Sequence, residues 1–317
     1  MNVKQLEIVT QIAKSGSLSR ASMVLGLAQS IVSRQLSHLE QEWGERLFER
    51  TGRGMVLSDF GQLVFPQIEA FLHGAHQLED AVKAASGVPT GSVKIGVVPS
   101  LADIVVPSVI ADMKIAAPGI KLSFVEGLSV HLDDLLAAGR IDMAVVNRYG
   151  VVEPSSEDFL GEVTTYLVCS PKHKFAKRRS LAFEELDNLP LVIPSATSGL
   201  KKLLDQLGRT MGVRVNVHME AESLSVMKRV ATSGEAMTLL PYSAVIDEVK
   251  SGQLAVVKIT EPEIPRKLML ASTQHHGMSR AARVVMSRIR YISPSFVQRA
   301  CQCEGTSIDQ PIEGTSA

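Results

Sequence analysis

From residue 93 onward the sequence spells one order of elements twice, and that repetition restricts the chain to few folds. Val93–Val98 reads as a strand, Leu101–Ala117 as a helix, Lys121–Glu126 as a strand, Ser129–Ala138 as a helix and Ile141–Asn147 as a strand. The order returns as strand Leu191–Ile193, helix Gly199–Met211, strand Val213–Met219, helix Ser223–Ser233 and strand Met237–Leu240. Strands alternating with helices of this length build βαβ units, so the chain is expected to be α/β, with two similar lobes and mainly parallel sheets. Both copies place Pro-Ser after the first strand, at Pro99-Ser100 and Pro194-Ser195, and both end a helix with glycine, Gly139 and Gly234. Identity between the copies is slight; the repeat is one of layout. The chain must also pass between the lobes. Thr165–Ser170 fits the first crossing and Leu268–Gln274 the return.

Ahead of the repeat the pattern is mostly helical. Leu6, Val9 and Ile12-Ala13 lie three or four residues apart, one face of a helix over 3–15 that Gly16 stops. Ser19 can cap a short second helix carrying Ala21, Val24 and Leu25, which Gly26 ends. A third helix spans Gln29 to Trp43, with the stripe Val32, Leu36, Leu39 and Trp43. Arg50-Thr51-Gly52-Arg53-Gly54 is a Gly-rich turn between short β-prone pieces, hence a hairpin. A long helix follows Ser58. Its apolar residues Val64, Ile68, Phe71, Ala75, Leu78 and Val82 recur at 4-3-4-3-4, the spacing of a helix that packs on a partner helix, with Pro66 near its start. Gly87-Val88-Pro89-Thr90-Gly91-Ser92 breaks the pattern as a linker would. The domains expected are therefore 1–58, a linker helix 59–86, and a two-lobed unit 87–300. The first lobe takes about 92–165 and 269–300, the second about 166–268. Residues 301–317 are polar and expected to be disordered.

Composition limits the function more than it defines it. The chain has 317 residues, 45% hydrophobic and 21% charged, as an ordinary globular protein does. Its longest apolar runs fall far short of the ~20 residues a membrane span needs. The N-terminus reads as an amphipathic helix and not as a signal peptide, so no membrane partner and a cytoplasmic location are expected. Cys169, Cys301 and Cys303 are too few for a disulfide scaffold; Cys169 reads as a small buried hydrophobe. Cys301-Gln302-Cys303 has only His275-His276 as a matching ligand pair, which leaves the metal reading weak, and neither metal nor cofactor is expected. No G-x-S-x-G, G-x-x-x-x-G-K-[ST] or H-E-x-x-H occurs, and His131, His173, His218 and His275 are scattered. No catalytic residue is assigned, and an enzyme is not expected.

Formal net charge is zero, so a nucleic-acid partner must be argued from placement. A helix, a tight turn and a second helix within Leu18–Ser37 form a helix-turn-helix layout, whose second helix enters the major groove. If Val32, Leu36 and Leu39 face inward, Gln29, Ser30, Ser33, Arg34 and Ser37 face outward near the helix N-terminus. Arg can grip guanine O6/N7 and Gln can grip adenine N6/N7. The small Ser33 and Ser37 let the helix approach the bases, and acids begin only at Glu40. Arg50 and Arg53 flank the hairpin turn, positioned to hold phosphates or reach a minor groove.

The stretch Ala28-Gln29-Ser30-Ile31-Val32-Ser33-Arg34-Gln35-Leu36-Ser37-His38-Leu39-Glu40 resembles the recognition helix of LysR-type transcriptional regulators. So do Gly16-Ser17-Leu18-Ser19-Arg20-Ala21-Ser22 with Leu25, Gly44 to Arg50, and Leu57-Ser58-Asp59-Phe60-Gly61. The resemblance extends from residue 1 to about 295. It departs at Ala28, where a Ser or Thr cap is usual, at Ser30, where Pro is common, and at Trp43, where Leu is common. It implies a winged helix-turn-helix, a linker helix, and two lobes that clamp a small-molecule effector as type 2 periplasmic binding proteins do. It also implies dimers that read a two-fold DNA site and pair again into tetramers, with RNA polymerase as a further partner.

The chemistry of open α/β sheets points to the same cleft, because ligands sit beyond the carboxyl ends of the strands. Helix N-termini there offer free N–H groups and partial positive charge, which suits an anionic organic effector. Ser100, Leu101 and Ser129 start the helices of the first lobe; Ser195 and Thr197 hold the matching corner of the second. Asn147 and Arg148 follow the third strand, Arg148 as the charged donor. The alternative is a small-solute-binding protein without DNA function, against which the absence of a signal peptide counts.

Overall fold

The structure, a computed structural model, describes residues 1–52, 54–84, 90–150, 157–195, 198–275 and 277–302. Three helices open it: α1 (Val3–Ser15), α2 (Leu18–Leu25) and α3 (Gln29–Trp43). Each end is marked in the sequence. Asn2 and Gln5 form a reciprocal capping box at α1, and Gly16, Gly26 and Gly44 close the three helices in the left-handed region. Ser17 caps α2 by accepting from Arg20 N, not Ser19 as the sequence suggested. The helix starts two residues earlier, with Leu18 buried in its first turn. Val24 is also displaced from expectation: it is 68% exposed, and Leu18, Ala21 and Ser22 make the buried face. Ala28 offers no side-chain cap to α3.

The hairpin β1 (Phe48–Thr51) and β2 (Gly54–Leu57) pairs antiparallel, and Met55 N donates to Gly16 O at 2.8 Å. Gly54 is required there, since a Cβ would come within 2.4 Å of the Gly16 carbonyl oxygen. Glu40 turns inward, accepting from Leu47 N and Phe48 N, and thereby fixes the hairpin to α3. Ser58 then caps the long helix α4 (Asp59–Ala84) by accepting from Gly61 N.

The stripe expected on α4 divides into a covered and an uncovered part. Val64 and Ile68 pack into the core of α1–α3, whereas Phe71 and Leu78 are 50% and 68% exposed. Leu72 and His73, off the stripe, are buried. His73 Nε2 lies 3.2 Å from Asp142 Oδ1, and Glu69 pairs with Arg140, so the helix also rests on the first lobe. The Val82 side chain and Gly87-Val88-Pro89 lie outside the described residues; Gly91 and Ser92 already belong to the next strand.

The remaining elements are β3 (Gly91–Val97), α5 (Pro99–Ala116), β4 (Ile120–Glu126), α6 (Ser129–Ala137), β5 (Met143–Arg148), β6 (Asp158–Thr164), β7 (Tyr166–Cys169), β8 (Ser180–Ala182), β9 (Leu191–Ile193), α7 (Gly199–Met211), β10 (Val217–Glu220), α8 (Leu224–Ser233), β11 (Thr238–Leu240), α9 (Ile246–Lys250), β12 (Ala255–Thr260), β13 (Pro265–Ser272) and α10 (Arg280–Gln302). The first lobe is a five-stranded sheet in the order β4-β3-β5-β13-β6. Its β3, β4 and β5 run parallel, and Met143-Ala144-Val145-Val146 is apolar throughout because helices cover both faces. In the second lobe the order is β11-β7-β12-β8, with β10-β9 joined to it by a bridge from Leu191 to Met237.

The sheets are mixed rather than mainly parallel. β13 runs antiparallel to β5 and β6, and β7 antiparallel to β11 and β12. These are the strands at the two crossings. A chain that leaves a lobe and returns enters the sheet against the direction of its βαβ strands. The return also falls earlier than Leu268–Gln274, since β12 belongs to the second lobe and β13 from Pro265 to the first; the passage is at 261–264. Other shifts are smaller. The strand expected at Val213–Met219 is confined to Val217–Glu220. The last helix carries Cys301 and Gln302, residues expected in a disordered tail, and residues 303–317 lie outside the described residues.

Candidate functional site

Two regions collect the residues singled out in the sequence. The first is the outer face of α3. Val32, Leu36 and Leu39 are 0%, 5% and 0% exposed and seat the helix on α1 and α2. A helical repeat that turns these inward turns Gln29, Ser30, Arg34 and Ser37 outward, and all four are exposed; Ser33 is half-buried. None of the five side chains makes a hydrogen bond or ion pair with a described residue. Arg50 is exposed on β1 beside the turn; Arg53 lies outside the described residues. A row of unsatisfied donors and acceptors on a rigid helix, with the nearest acid turned away onto backbone amides, is what base edges and phosphates require.

The second region is a cavity of about 800 Å³ between the lobes. The N-terminal ends of α5, α6, α7 and α8 all line it, through Val98-Pro99-Ser100, Leu128-Ser129, Ser198-Gly199 and Ser223-Leu224. Of these four, only α7 has a side-chain cap, Ser198 accepting from Lys201 N. The cavity therefore receives free amides and the positive ends of four helices.

Of the expected effector contacts, Ser100, Ser129, Asn147 and Ser195 line this cavity. Thr197 lies outside the described residues. Ser129 is already committed: its Oγ donates to Asn147 O and accepts from Asn147 N, both at 3.1 Å, tying α6 to the end of β5. Leu101 is not part of the cavity. It is 1% exposed in the first-lobe core, because α5 begins at Pro99 and its third residue already turns under the sheet. Arg148 is not part of it either. It binds Asp133 through two hydrogen bonds of 2.7 and 2.9 Å and Glu157 through two of 2.5 and 3.1 Å. Burial opposes its charge, but these carboxylates outweigh burial and raise its pKa.

The charge in the cavity comes from a residue the sequence reading passed over. Arg266, on β13 just past the return crossing, lines the cavity and is 3% exposed. Its Nη1 donates to Ser100 Oγ at 3.2 Å, and its guanidinium carbon sits 5.4 Å from the Tyr149 ring centroid. Its Nε has no hydrogen-bond partner among the described residues. Burial lowers the pKa of Arg266 and raises that of the Tyr149 phenol. The sequence does carry a signal. Arg266 is in phase with buried Leu268 and Leu270, so a charge stands on the inward face of a strand. Cys169 is fully buried, and burial pushes its thiol up to about 11. No group of His, Cys, Asp and Glu among the described residues could hold a metal ion, and no helix among them is long and apolar enough to cross a membrane. His276 and Cys303 lie outside those residues.

A helix-turn-helix with a β-wing, joined through one helix to a two-lobed α/β unit with a cleft, defines a transcriptional regulator with a DNA-binding and an effector-binding domain. The family models agree part by part: "Bacterial regulatory helix-turn-helix protein, lysR family" matches residues 3–62, and "LysR substrate binding domain" matches residues 86–291. The chain belongs to the LysR family. It is 27% identical over 276 residues to a probable nitrogen assimilation transcriptional activator of Synechococcus elongatus, covering 85% of this chain and 88% of that one. It is 25% identical over 304 residues to the HTH-type transcriptional regulator YeiE of Escherichia coli K12, covering 94% and 99%. Among solved structures, CbnR in complex with its target DNA superposes with a TM-score of 0.66 at 16% identity, over 95% of this chain and all of that one. That likeness concerns the fold.

Proposed function

We propose that two copies of this chain pair through α4 and read a two-fold DNA site, and that a small molecule in the interlobe cavity sets their arrangement. The observation that supports this best is the exposed set Gln29, Ser30, Arg34 and Ser37, without hydrogen-bond or ion-pair partners among the described residues, on a helix whose other face buries Val32, Leu36 and Leu39. Ser33 lies at the edge of that face, and Arg50 and Arg53 serve phosphates on either side of the wing turn. The protein acts by binding, in the cytoplasm, and its transcriptional output passes through RNA polymerase.

Pairing rests on the part of the α4 stripe that the fold leaves uncovered. Phe71 and Leu78 stand exposed along a groove shared with Met1, Trp43, Phe60 and Val64. Large apolar side chains in a row at heptad spacing are stable in water only when a second such helix covers them. Such dimers pair again into tetramers. An effector shifts the populations of these assemblies by no more than its differential affinity for them.

Phe71→Glu tests the pairing. The side chain is half exposed, so the monomer folds, while a carboxylate in the seam breaks the dimer. Sedimentation is expected to show monomer, and gel shifts on the DNA upstream of the gene to weaken by ~100-fold, although no base contact is altered. An unchanged oligomer with unchanged DNA affinity would remove α4 as the seam. A wild-type protein with no saturable, sequence-dependent shift would remove the DNA reading itself.

A further inference from the structure

We infer that the interlobe cavity is built for a small organic monoanion whose carboxylate is seated on Arg266. The inference rests on the cavity being the effector site and names the chemistry of its ligand. Arg266 is a buried cation with spare donors. It is 3% exposed, gives one N–H to Ser100 and stacks on the Tyr149 ring, and its Nε has no hydrogen-bond partner among the described residues. No described carboxylate forms an ion pair with it, in contrast to Arg148, which holds two. A charge withdrawn from water without an anion is costly unless a ligand supplies one, and a guanidinium fork matches a carboxylate in plane. The uncapped starts of α5 and α6 lie on the same side of the cavity and add free amides to the seat.

The rest of the lining limits the ligand to one negative charge. Lys228, the other cation there, pairs with Glu248 at 2.5 Å. Asp103, Glu126, Asp134 and Glu222 line the cavity as exposed side chains, while Arg266 is buried. A second anionic group would leave Arg266 and meet these acids. The body of the ligand meets Tyr149, Leu200, Met227 and Leu240, which suits a short apolar or aromatic group. Position adds a consequence. Arg266 is two residues past the crossing between the lobes, so an anion on it bears on the hinge as well as on the walls.

Thermal shift and titration calorimetry on the full-length chain test this with benzoate and butyrate, their amides benzamide and butyramide, and the dianions phthalate and succinate. Saturable stabilisation by a monocarboxylate is expected, with the matching amide and dianion at least ~10-fold weaker. Arg266→Gln is expected to weaken monocarboxylate binding by ~10–100-fold, and Arg266→Lys, which keeps the charge but not the fork, by less. Lys also serves where Gln fails to fold. Ser223→Trp, an exposed position on the cavity wall, separates the two readings. Monocarboxylate binding that survives Arg266→Gln but not Ser223→Trp overturns the seat and keeps the cavity; binding that survives both overturns the cavity and the seat together. No saturable response to either monocarboxylate, or tighter binding of the dianions, also overturns the seat.

Discussion

The outer face of α3 and the cavity between the lobes both present serines, and the two regions treat them in opposite ways. On α3, Ser30 and Ser37 stand exposed with no hydrogen-bond partner among the described residues. In the cavity, Ser129 spends its hydroxyl on Asn147 backbone and Ser100 accepts from Arg266. A surface that reads DNA must leave its donors and acceptors unspent, because water satisfies them until base edges replace it. A cavity that senses a small molecule excludes most of that water, so its polar groups must be held by the fold and only a few left open. The count of satisfied hydroxyls therefore separates a reading face from a sensing pocket, and it directs attention in the cavity to Arg266.

The comparison also extends to what supports each region. The α3 face rests on one small core made by α1 to α3, the wing and the start of α4. The cavity rests on separate cores in the two lobes. The sharpest way to break this division is Leu39→Ala. Leu39 is fully buried in the small core, and such truncations cost ~2–5 kcal/mol. Calorimetry is expected to show a lowered transition for the DNA-binding unit and an unmoved one for the lobes. If both transitions fall together, the contacts of α4 with the first lobe, His73 to Asp142 and Glu69 to Arg140, couple the two regions into one folding unit.

Next in size is Arg34→Ala, which removes a forked donor from the proposed reading face and breaks no hydrogen bond or ion pair among the described residues. Specific DNA binding is expected to fall by ~1–3 kcal/mol with blurred preference at one base pair, while stability and monocarboxylate binding hold. Uniform weakening across all sequences with a smaller salt slope would instead make Arg34 a phosphate contact.

How much of each region was legible follows from the range of the interactions that make it. The α3 face is local: once Val32, Leu36 and Leu39 are taken as inward, a 3.6-residue period places Arg34 and Ser37 outward, and the structure has them there. Errors in this unit are of two residues, as with Ser19 for Ser17, or of one face, as with Val24. The α4 stripe was visible as apolar periodicity, but periodicity does not say which neighbour each residue meets. Val64 and Ile68 go to the N-terminal core, and Phe71 and Leu78 go uncovered. The cavity is the least legible part. Arg148 and Arg266 end up on adjacent strands, with Arg148 opposite Lys267, through a pairing of residues more than a hundred positions apart. Nothing near Arg148 in sequence announces that Asp133 and Glu157 will close on it. The mixed sheets have the same origin, since the direction of β13 is set by where the chain returns from.

The smallest effect is expected at Arg148, and it tests the division of labour between the two arginines. Arg148 joins β5 to α6 through Asp133 and to the segment before β6 through Glu157, and it is 22% exposed. Removing it leaves two carboxylates facing one another beside the first-lobe sheet. Because the network is partly open to water, Arg148→Ala is expected to lower stability by only about 1 kcal/mol, with the loss shrinking as salt screens the residual repulsion. Arg148 does not line the cavity, so monocarboxylate binding should keep its wild-type affinity and its dependence on Arg266. Calorimetric titration of Arg148→Ala beside Arg266→Gln gives the decisive pair of curves. Binding lost in the first and kept in the second would mean that Arg148 leaves its carboxylates to meet the ligand and that Arg266 is a structural cation. The expected order, structure at Arg148 and ligand at Arg266, follows from which of the two has already spent its donors.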